Sequence, residues 1–310
     1  MLTLTYKTSL LKSTILTCLI GFTGLNHAEV RIQDSLGEHV FAQPLTRVAT
    51  LDWGLTESVI ELGIAPVASG DVKGYKEWVK RPAVPSETQD IGTREEPNLG
   101  KLVELKPDAI LIGGNLKDLK EKLETIAPVI VFDTYQADHN NAEQADKDFM
   151  TLAKLLGKED IAVQKLQQRD DTLKRLKTKL EQAFPNGLPK VATMRFANTT
   201  SAYVYGGNSM PQYALEALGI ENAITLKNTQ WGLEQKQLKF LRAVDQNFLL
   251  YFQPFHQEEQ LNKSPLWQAM PFVQNGNVAS VEATWTYGGA MSLQYLAESM
   301  TDALLTLANK

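Results

Sequence analysis

From Arg47 onward, short apolar runs alternate with stretches whose apolar residues recur every three or four positions. Residues 47–51 predict a strand, and 56–62 predict a helix that stops at Gly63. The rhythm continues with a strand over 66–69, a helix over 99–105, a strand over 109–112, a helix over 116–126 and a strand over 129–132. Strands and helices that alternate in this way predict a parallel sheet with helical crossovers.

Residues 141–184 break the rhythm, because they contain helix formers and no strand pattern. The interruption at Gly157-Lys158-Glu159-Asp160 predicts two helices. The second, over 161–184, places Val163, Leu166, Leu173, Leu176 and Leu180 on one stripe, with charged residues elsewhere. It has fewer than four clean heptads, so it predicts a single long helix rather than a coiled coil. After Pro185-Asn186-Gly187 the alternation restarts, with strands over 191–196 and 203–205, a helix over 210–218 and a strand over 247–252. Segments 265–272 and 278–281 and a final helix over 288–307 complete it. The expectation is an α/β protein of two Rossmann-like lobes with mostly parallel sheets, over 29–140 and 186–310. The helical segment 141–185 joins them, and the cleft between them is the natural ligand site.

The first 28 residues form a separate unit. Lys7 and Lys12 precede an apolar stretch from Ile15 to Leu25, and the small Ala28 precedes Glu29, which is the pattern of a secretory signal peptide. The apolar stretch is about 11 residues, well short of the roughly 20 that span a bilayer. The one cysteine, Cys18, lies inside it. Thr17 before that cysteine and the apolar run beyond it argue against lipid attachment, so the exported chain carries no thiol. Removing the two leader lysines from 31 basic residues leaves 29 against 36 acidic ones, a formal charge of −7. That balance excludes nucleic acid as the expected partner. No later run reaches 18 consecutive apolar residues, so the expectation is a soluble protein.

Enzyme motifs are missing where they would have to stand. Between Arg47 and Gly63 only Gly54 and Gly63 occur, which excludes a dinucleotide loop after the first strand. Tyr205-Gly206-Gly207-Asn208-Ser209 lacks the lysine of a phosphate loop, and no G-x-S-x-G elbow is present. His39, His139 and His256 are scattered, leaving no visible zinc set. The expectation is neither a catalytic residue nor a protein-bound metal. What remains is a set of aromatics at the ends of strands and turns: Trp53, Trp78, Trp231, Trp285, Tyr287, Tyr203 and Tyr205. Any one of them is as readily a core residue, but as a set on loops they point to a broad ligand pocket.

Asp90-Ile91-Gly92-Thr93-Arg94-Glu95-Glu96-Pro97-Asn98-Leu99, followed by Leu105-Lys106-Pro107-Asp108, resembles the periplasmic iron-siderophore binding proteins of ABC importers. Two further stretches, Ser264-Pro265-Leu266-Trp267-Gln268-Ala269-Met270-Pro271-Phe272-Val273 and Trp285-Thr286-Tyr287-Gly288-Gly289-Ala290, are similar to the ferric hydroxamate branch. The resemblance runs from about Arg47 to the C-terminus. It implies the class III periplasmic binding fold with a helical backbone, and a monomer in the periplasm that captures a ferric siderophore and delivers it to an inner-membrane ABC permease. No covalent cofactor and no catalysis are implied. Arg94 matches the arginine that hydrogen-bonds the chelating oxygens. Trp53, Trp78, Trp231, Trp285 and Tyr287 are implied to line the cleft, with Tyr203 beside them, whereas Trp267 is read as structural. Two departures stand out. The branch's chelate-binding tyrosine falls near Leu116, which cannot donate, leaving Tyr203, Tyr205 or Asn115 as substitutes. The acidic residues that dock the permease fall at Gly100 and Lys239, leaving Glu95, Glu96 or Glu104 on one lobe and Glu234 on the other. Haem, cobalamin or a catecholate siderophore is the neighbouring alternative, for which Lys73, Lys76, Lys80 and Arg81 supply positive charge. An exported enzyme on the same scaffold is the more distant one.

Overall fold

The computed structural model describes residues 1–3 and 29–308, so the leader reading falls outside the described residues except for its first three. A hairpin of β1 (Val30–Gln33) and β2 (Glu38–Phe41) precedes two five-stranded sheets. The first sheet contains β3 (Val48–Thr50), β4 (Ala68–Ser69), β5 (Gln89–Asp90), β6 (Ala109–Gly113) and β7 (Val129–Phe132). Its order is β5-β4-β3-β6-β7, and every pairing is parallel. Both faces are covered, as a parallel sheet requires, and all five residues of β6 are buried.

The second sheet contains β8 (Val191–Asn198), β9 (Ser201–Tyr205), β10 (Leu233–Gln237), β11 (Phe248–Phe252) and β12 (Val278–Val281), in the order β10-β9-β8-β11-β12. β8, β11 and β12 are parallel, while β9 folds back on β8 and β10 on β9. That antiparallel edge departs from strict βα alternation. Asn198 takes the amides of Thr200 and Ser201 on its side chain, making a turn too short for a crossover helix.

The helices are α1 (Trp53–Glu61), α2 (Val72–Trp78), α3 (Leu99–Leu105), α4 (Lys120–Glu124), α5 (Asn141–Leu156), α6 (Glu159–Ala183), α7 (Met210–Ala217), α8 (Glu258–Asn262), α9 (Pro265–Gln268), α10 (Pro271–Gln274) and α11 (Ser292–Ala308). Among the described residues, no helix is long and apolar enough to cross a membrane. The helix expected over 116–126 divides into a 3-10 turn over Gly114–Leu119 and α4. The last helix starts at Ser292 rather than Gly288, and Gly288 packs so closely against it that a Cβ there would lie 1.7 Å from Ser292 Oγ.

Three helices straddle both halves. The N-terminal part of α6 packs Ala162 into the core beneath the first sheet, with Val48, Leu111 and Ile130. Its C-terminal part packs Leu173 and Leu180 into the core beneath the second, with Val191, Tyr205 and Leu250. α5 divides in the same way between Phe149 and Ala145, and α11 between the part-buried Tyr295 and Leu296. Val163, expected on the buried stripe of α6, is instead 58% exposed. The buried line runs through Ala162, Arg169, Thr172 and Leu173, and Val163 sits about 100° round from Ala162. Arg169 is buried in that line, held by Asp146 and Asp170 and lying 3.3 Å from the Ala290 carbonyl.

Where α1 meets α11, Glu57 is fully buried. Ser292 Oγ donates to Oε2, and Oε1 has no partner. Burial, with Glu61 one turn away, pushes its carboxyl up to about 8, against the hydrogen bond from Ser292. Because the folded value lies above the ordinary 4.5, the native state keeps a proton that the unfolded chain has already lost. Stability is therefore lost as pH rises from about 4.5 through 8. Glu57→Gln, which mimics the protonated form, is expected to be more stable than the wild type at pH 9 by on the order of a few kcal/mol. At pH 4 no such gain is expected. Urea melts at the two pH values measure the difference, and an equal effect at both would contradict a protonated Glu57.

Candidate ligand-binding site

The first wall of the cleft is built at the C-terminal ends of β3 and β4. Asp52 caps α1 by accepting the Leu55 amide at 3.0 Å, which fixes Trp53 as the first helical residue. Trp53 Nε1 donates to the Gly70 carbonyl at 3.0 Å. Gly70 also lets Arg94 lie against the strand end, since a Cβ there would come within 3.1 Å of Arg94 Cα. Arg94 stands on a tight loop closed by the Gly92–Pro97 bridge and by Thr93 Oγ1, which accepts the Glu96 amide. Its guanidinium lies 4.1 Å from the Trp53 ring centroid and 5.8 Å from that of Trp285. Among the described residues the carboxylate paired with it is Glu95, at 3.8 Å, beyond hydrogen-bond length. Burial raises the Asp52 pKa, against the opposing pulls of the Leu55 amide and the Arg94 charge. A carboxyl group thus lies close enough to the guanidinium to feel it.

The second wall comes from β8, β9 and the segment after β12. Tyr205 donates to or accepts from Thr286 Oγ1 at 2.8 Å. Thr284 and Thr286 are buried, whereas Trp285 and Tyr287 are only part-buried. Trp285 meets Trp53 edge-on at 4.7 Å and Tyr287 at 5.1 Å, and Tyr287 meets Trp231 at 5.5 Å. Trp231 stacks on Tyr135 at 5.3 Å, and the Tyr135 hydroxyl donates to the Gly288 carbonyl at 2.6 Å.

Of the residues expected at the site, Arg94, Trp53, Trp285, Tyr287 and Trp231 form one chain of contacts. Trp78 packs against the cluster of Trp53, Tyr75 and Trp285. Tyr203 joins through a residue the sequence did not single out, Arg195 of β8. Arg195 and Tyr203 are direct partners across the ladder, and the guanidinium lies 4.2 Å from the Tyr203 ring centroid and 5.9 Å from that of Trp78. Two donors at this cluster, Arg195 Nε and Trp285 Nε1, are buried without a partner. Such groups cost free energy unless an acceptor meets them. Leu116 is a buried core residue beside Leu123 and Ile112, so that position does not face the cleft. Tyr205 is fully buried and already bonded, so it is not the substitute donor, and Trp267 sits in the core against Phe196 and Phe272.

A small cavity of about 30 Å³ lies between Asp52, Asn115, Asp133, Tyr135, Trp231 and Tyr287. It has room for water alone. The chemistry on offer is therefore that of the aromatic cleft: broad π faces for a carbon skeleton, and one guanidinium from each lobe for an electron-rich centre.

Known proteins resemble this chain in sequence and in fold. Residues 48–284 match the model of a family described as periplasmic binding protein. The chain is 29% identical over 268 residues to the iron(3+)-hydroxamate-binding protein FhuD of Escherichia coli K12, covering 86% of this chain and 89% of that one. It is 27% identical over 285 residues to the Fe(3+)-citrate-binding protein YfmC of Bacillus subtilis 168, covering 90% and 86%. The crystal structure of the Fe3+-Desferal-bound siderophore binding protein FhuD of Vibrio cholerae is 49% identical, with a TM-score of 0.83 over 84% of this chain and 98% of that one.

Tyr205→Phe removes the bond that orients the Trp285–Tyr287 wall. It is expected to lower stability by about 1 kcal/mol and to shift tryptophan emission, read by urea melts and fluorescence spectra. An unchanged spectrum would mean that packing alone holds the wall.

Proposed function

Because this chain belongs to the periplasmic binding protein family, we propose that it captures a ferric siderophore, of hydroxamate type, in the periplasm and hands it to an inner-membrane ABC permease without changing a covalent bond. The observation that carries the reading is the pair of guanidiniums, Arg94 and Arg195, set against an aromatic cleft with buried donors lacking partners. A ferric tris-hydroxamate brings its own six oxygens to the iron and presents them as a crowded, partly negative surface. A planar guanidinium meets such oxygens with several donors at once, where a lysine offers a single charged point. The indole and phenol faces take up the methylene chains between the hydroxamates. The relatives that bind iron(3+)-hydroxamate and Fe3+-Desferal support this cargo.

The second guanidinium also favours a more anionic chelate, such as a ferric catecholate or ferric citrate, the latter being the cargo named for the Bacillus subtilis relative. Titration of tryptophan fluorescence with the three chelates in parallel separates the readings. Saturation by the hydroxamate at the lowest concentration supports the first; saturation by an anionic chelate alone supports the second. Arg94→Ala is expected to weaken hydroxamate binding roughly 10- to 150-fold, the loss of one or two charge-assisted hydrogen bonds. Arg195→Ala is expected to weaken a catecholate more than a hydroxamate. Undiminished affinity in Arg94→Ala would remove that residue from the site.

For delivery, Glu95 and Glu96 lie exposed on the loop of the first lobe. Glu234 on the second lobe is already paired with Lys236 at 2.7 Å. We assign docking to the first-lobe pair. Reversal of Glu96, the member of the pair that is not the Arg94 partner, is expected to lower siderophore uptake in cells while leaving binding to the purified protein intact, and unchanged uptake would refute the assignment.

A further inference from the structure

α2 belongs in sequence to the first lobe, yet the chain at its C-terminal end is fastened to the second. Its apolar side, Tyr75 and Val79 with Val84, packs on Trp53 and Trp285, and the Tyr75 hydroxyl donates to the Pro82 carbonyl at 2.9 Å. Three charged side chains then reach across. Glu77 lies 3.2 Å from His256, and Lys80 Nζ lies 3.5 Å from Glu282. Both are exposed ion pairs, a class that contributes little. The third, Arg81, is also exposed, but its fork engages α11 at several points rather than one. Nη1 donates to Glu298 at 2.8 Å, and Nη2 lies 3.4 Å from both the Tyr295 carbonyl and Ser299 Oγ. The guanidinium also covers the Tyr295 ring at 4.7 Å. Tyr295 in turn donates to the buried Glu61 of α1, so the clamp rests on a side chain that is itself fixed.

Trp78 stands three residues before this clamp, with Arg195 of the opposite wall 5.9 Å from its ring. We propose that Arg81 is a positioning residue: by holding residues 72–84 to α11 it sets the gap between the Trp78 wall and the wall of Arg195 and Tyr203, and so limits the bulk of the chelate admitted. The inference rests on the proposed siderophore-binding role for its functional meaning, but the clamp itself is observable without cargo. Arg81 touches no ligand in this account. Lysine in its place keeps the charge but loses the fork, and restores only part of the effect.

Two measurements test it. Hydrogen exchange of the unliganded protein is expected to show faster exchange of the amides of residues 72–84 in Arg81→Ala and in Glu298→Gln, with the rest of the fold unchanged. Equal protection in the wild type and both variants would overturn the clamp, whatever the cargo. Fluorescence titration then compares Fe(III)-desferrioxamine B with the same chelate carrying a bulky aromatic acyl group on its terminal amine. The wild type is expected to prefer the compact chelate, and Arg81→Ala to narrow that preference about tenfold, with Arg81→Lys in between. An unchanged ratio in Arg81→Ala, with the compact chelate still bound, would overturn the size limit. If the wild type bound neither chelate, the siderophore role and the size limit would fall together, while the exchange measurement would still decide the clamp.

Discussion

Two sheets that each need a covering layer share part of that layer, and this sharing governs the rest of the molecule. α5, α6 and α11 place some of their buried side chains under the first sheet and others under the second. Separating the lobes would pull Ala162 from one core or Leu173 from the other, exposing apolar surface at roughly 25 cal/mol per Å². Polar ties run the same way, from Tyr135 to the Gly288 carbonyl and from Asn141 to the Asn208 carbonyl. Because cores of this kind deform little, the cleft walls keep a nearly fixed relation. Adjustment is left to side chains and to the loops between the sheets.

On that frame, the charges at the cleft are stabilised in an uncommon way. Arg169, buried on the inner face of α6, is neutralised by two aspartates, as buried cations usually are. Arg94 and Arg195 lean on aromatic faces instead, and these offset part of the desolvation while Arg195 Nε is left without a partner. A cation held by a ring remains available to a cargo oxygen; one held by a carboxylate would first have to be released. The same arrangement explains why the walls carry so many indoles: they serve both the carbon skeleton of a ligand and the arginines that receive its centre.

How much of this was legible in the sequence depended on how strongly burial marks each segment. Leu99–Leu105 and Val129–Phe132 fall where the apolar pattern put them, because their inward faces are unbroken. β10 and α2 did not announce themselves: Leu-Glu-Gln-Lys-Gln is a polar edge strand, and α2 is seven residues long with Gly74 inside it. The hairpin of β1 and β2 hid for a similar reason, with Leu36 and Val40 exposed. Arg195 was absorbed into the strand that carries it, although a lone charge within the apolar run Val191–Asn198 was the signal available. Arg94 came from the resemblance, since no spacing rule separates it from other loop arginines. Leu116 illustrates the reverse limit: a position aligned with a family tyrosine turned out to belong to the core.

The segment Thr284-Trp285-Thr286-Tyr287, which follows β12 and ends in a turn, serves two environments at once, its threonines buried and its aromatics meeting one another at the cleft. Burial that alternates residue by residue tolerates exchange of one side chain for another better than a change in count. An inserted or deleted residue between Glu282 and Tyr287 would turn the rings toward the Tyr205 side and the hydroxyls toward the cleft, erasing the wall while preserving its composition. Diversification of this wall for other cargoes is thus confined to point substitution, and insertions that enlarge or reshape the cleft have to enter elsewhere along the chain.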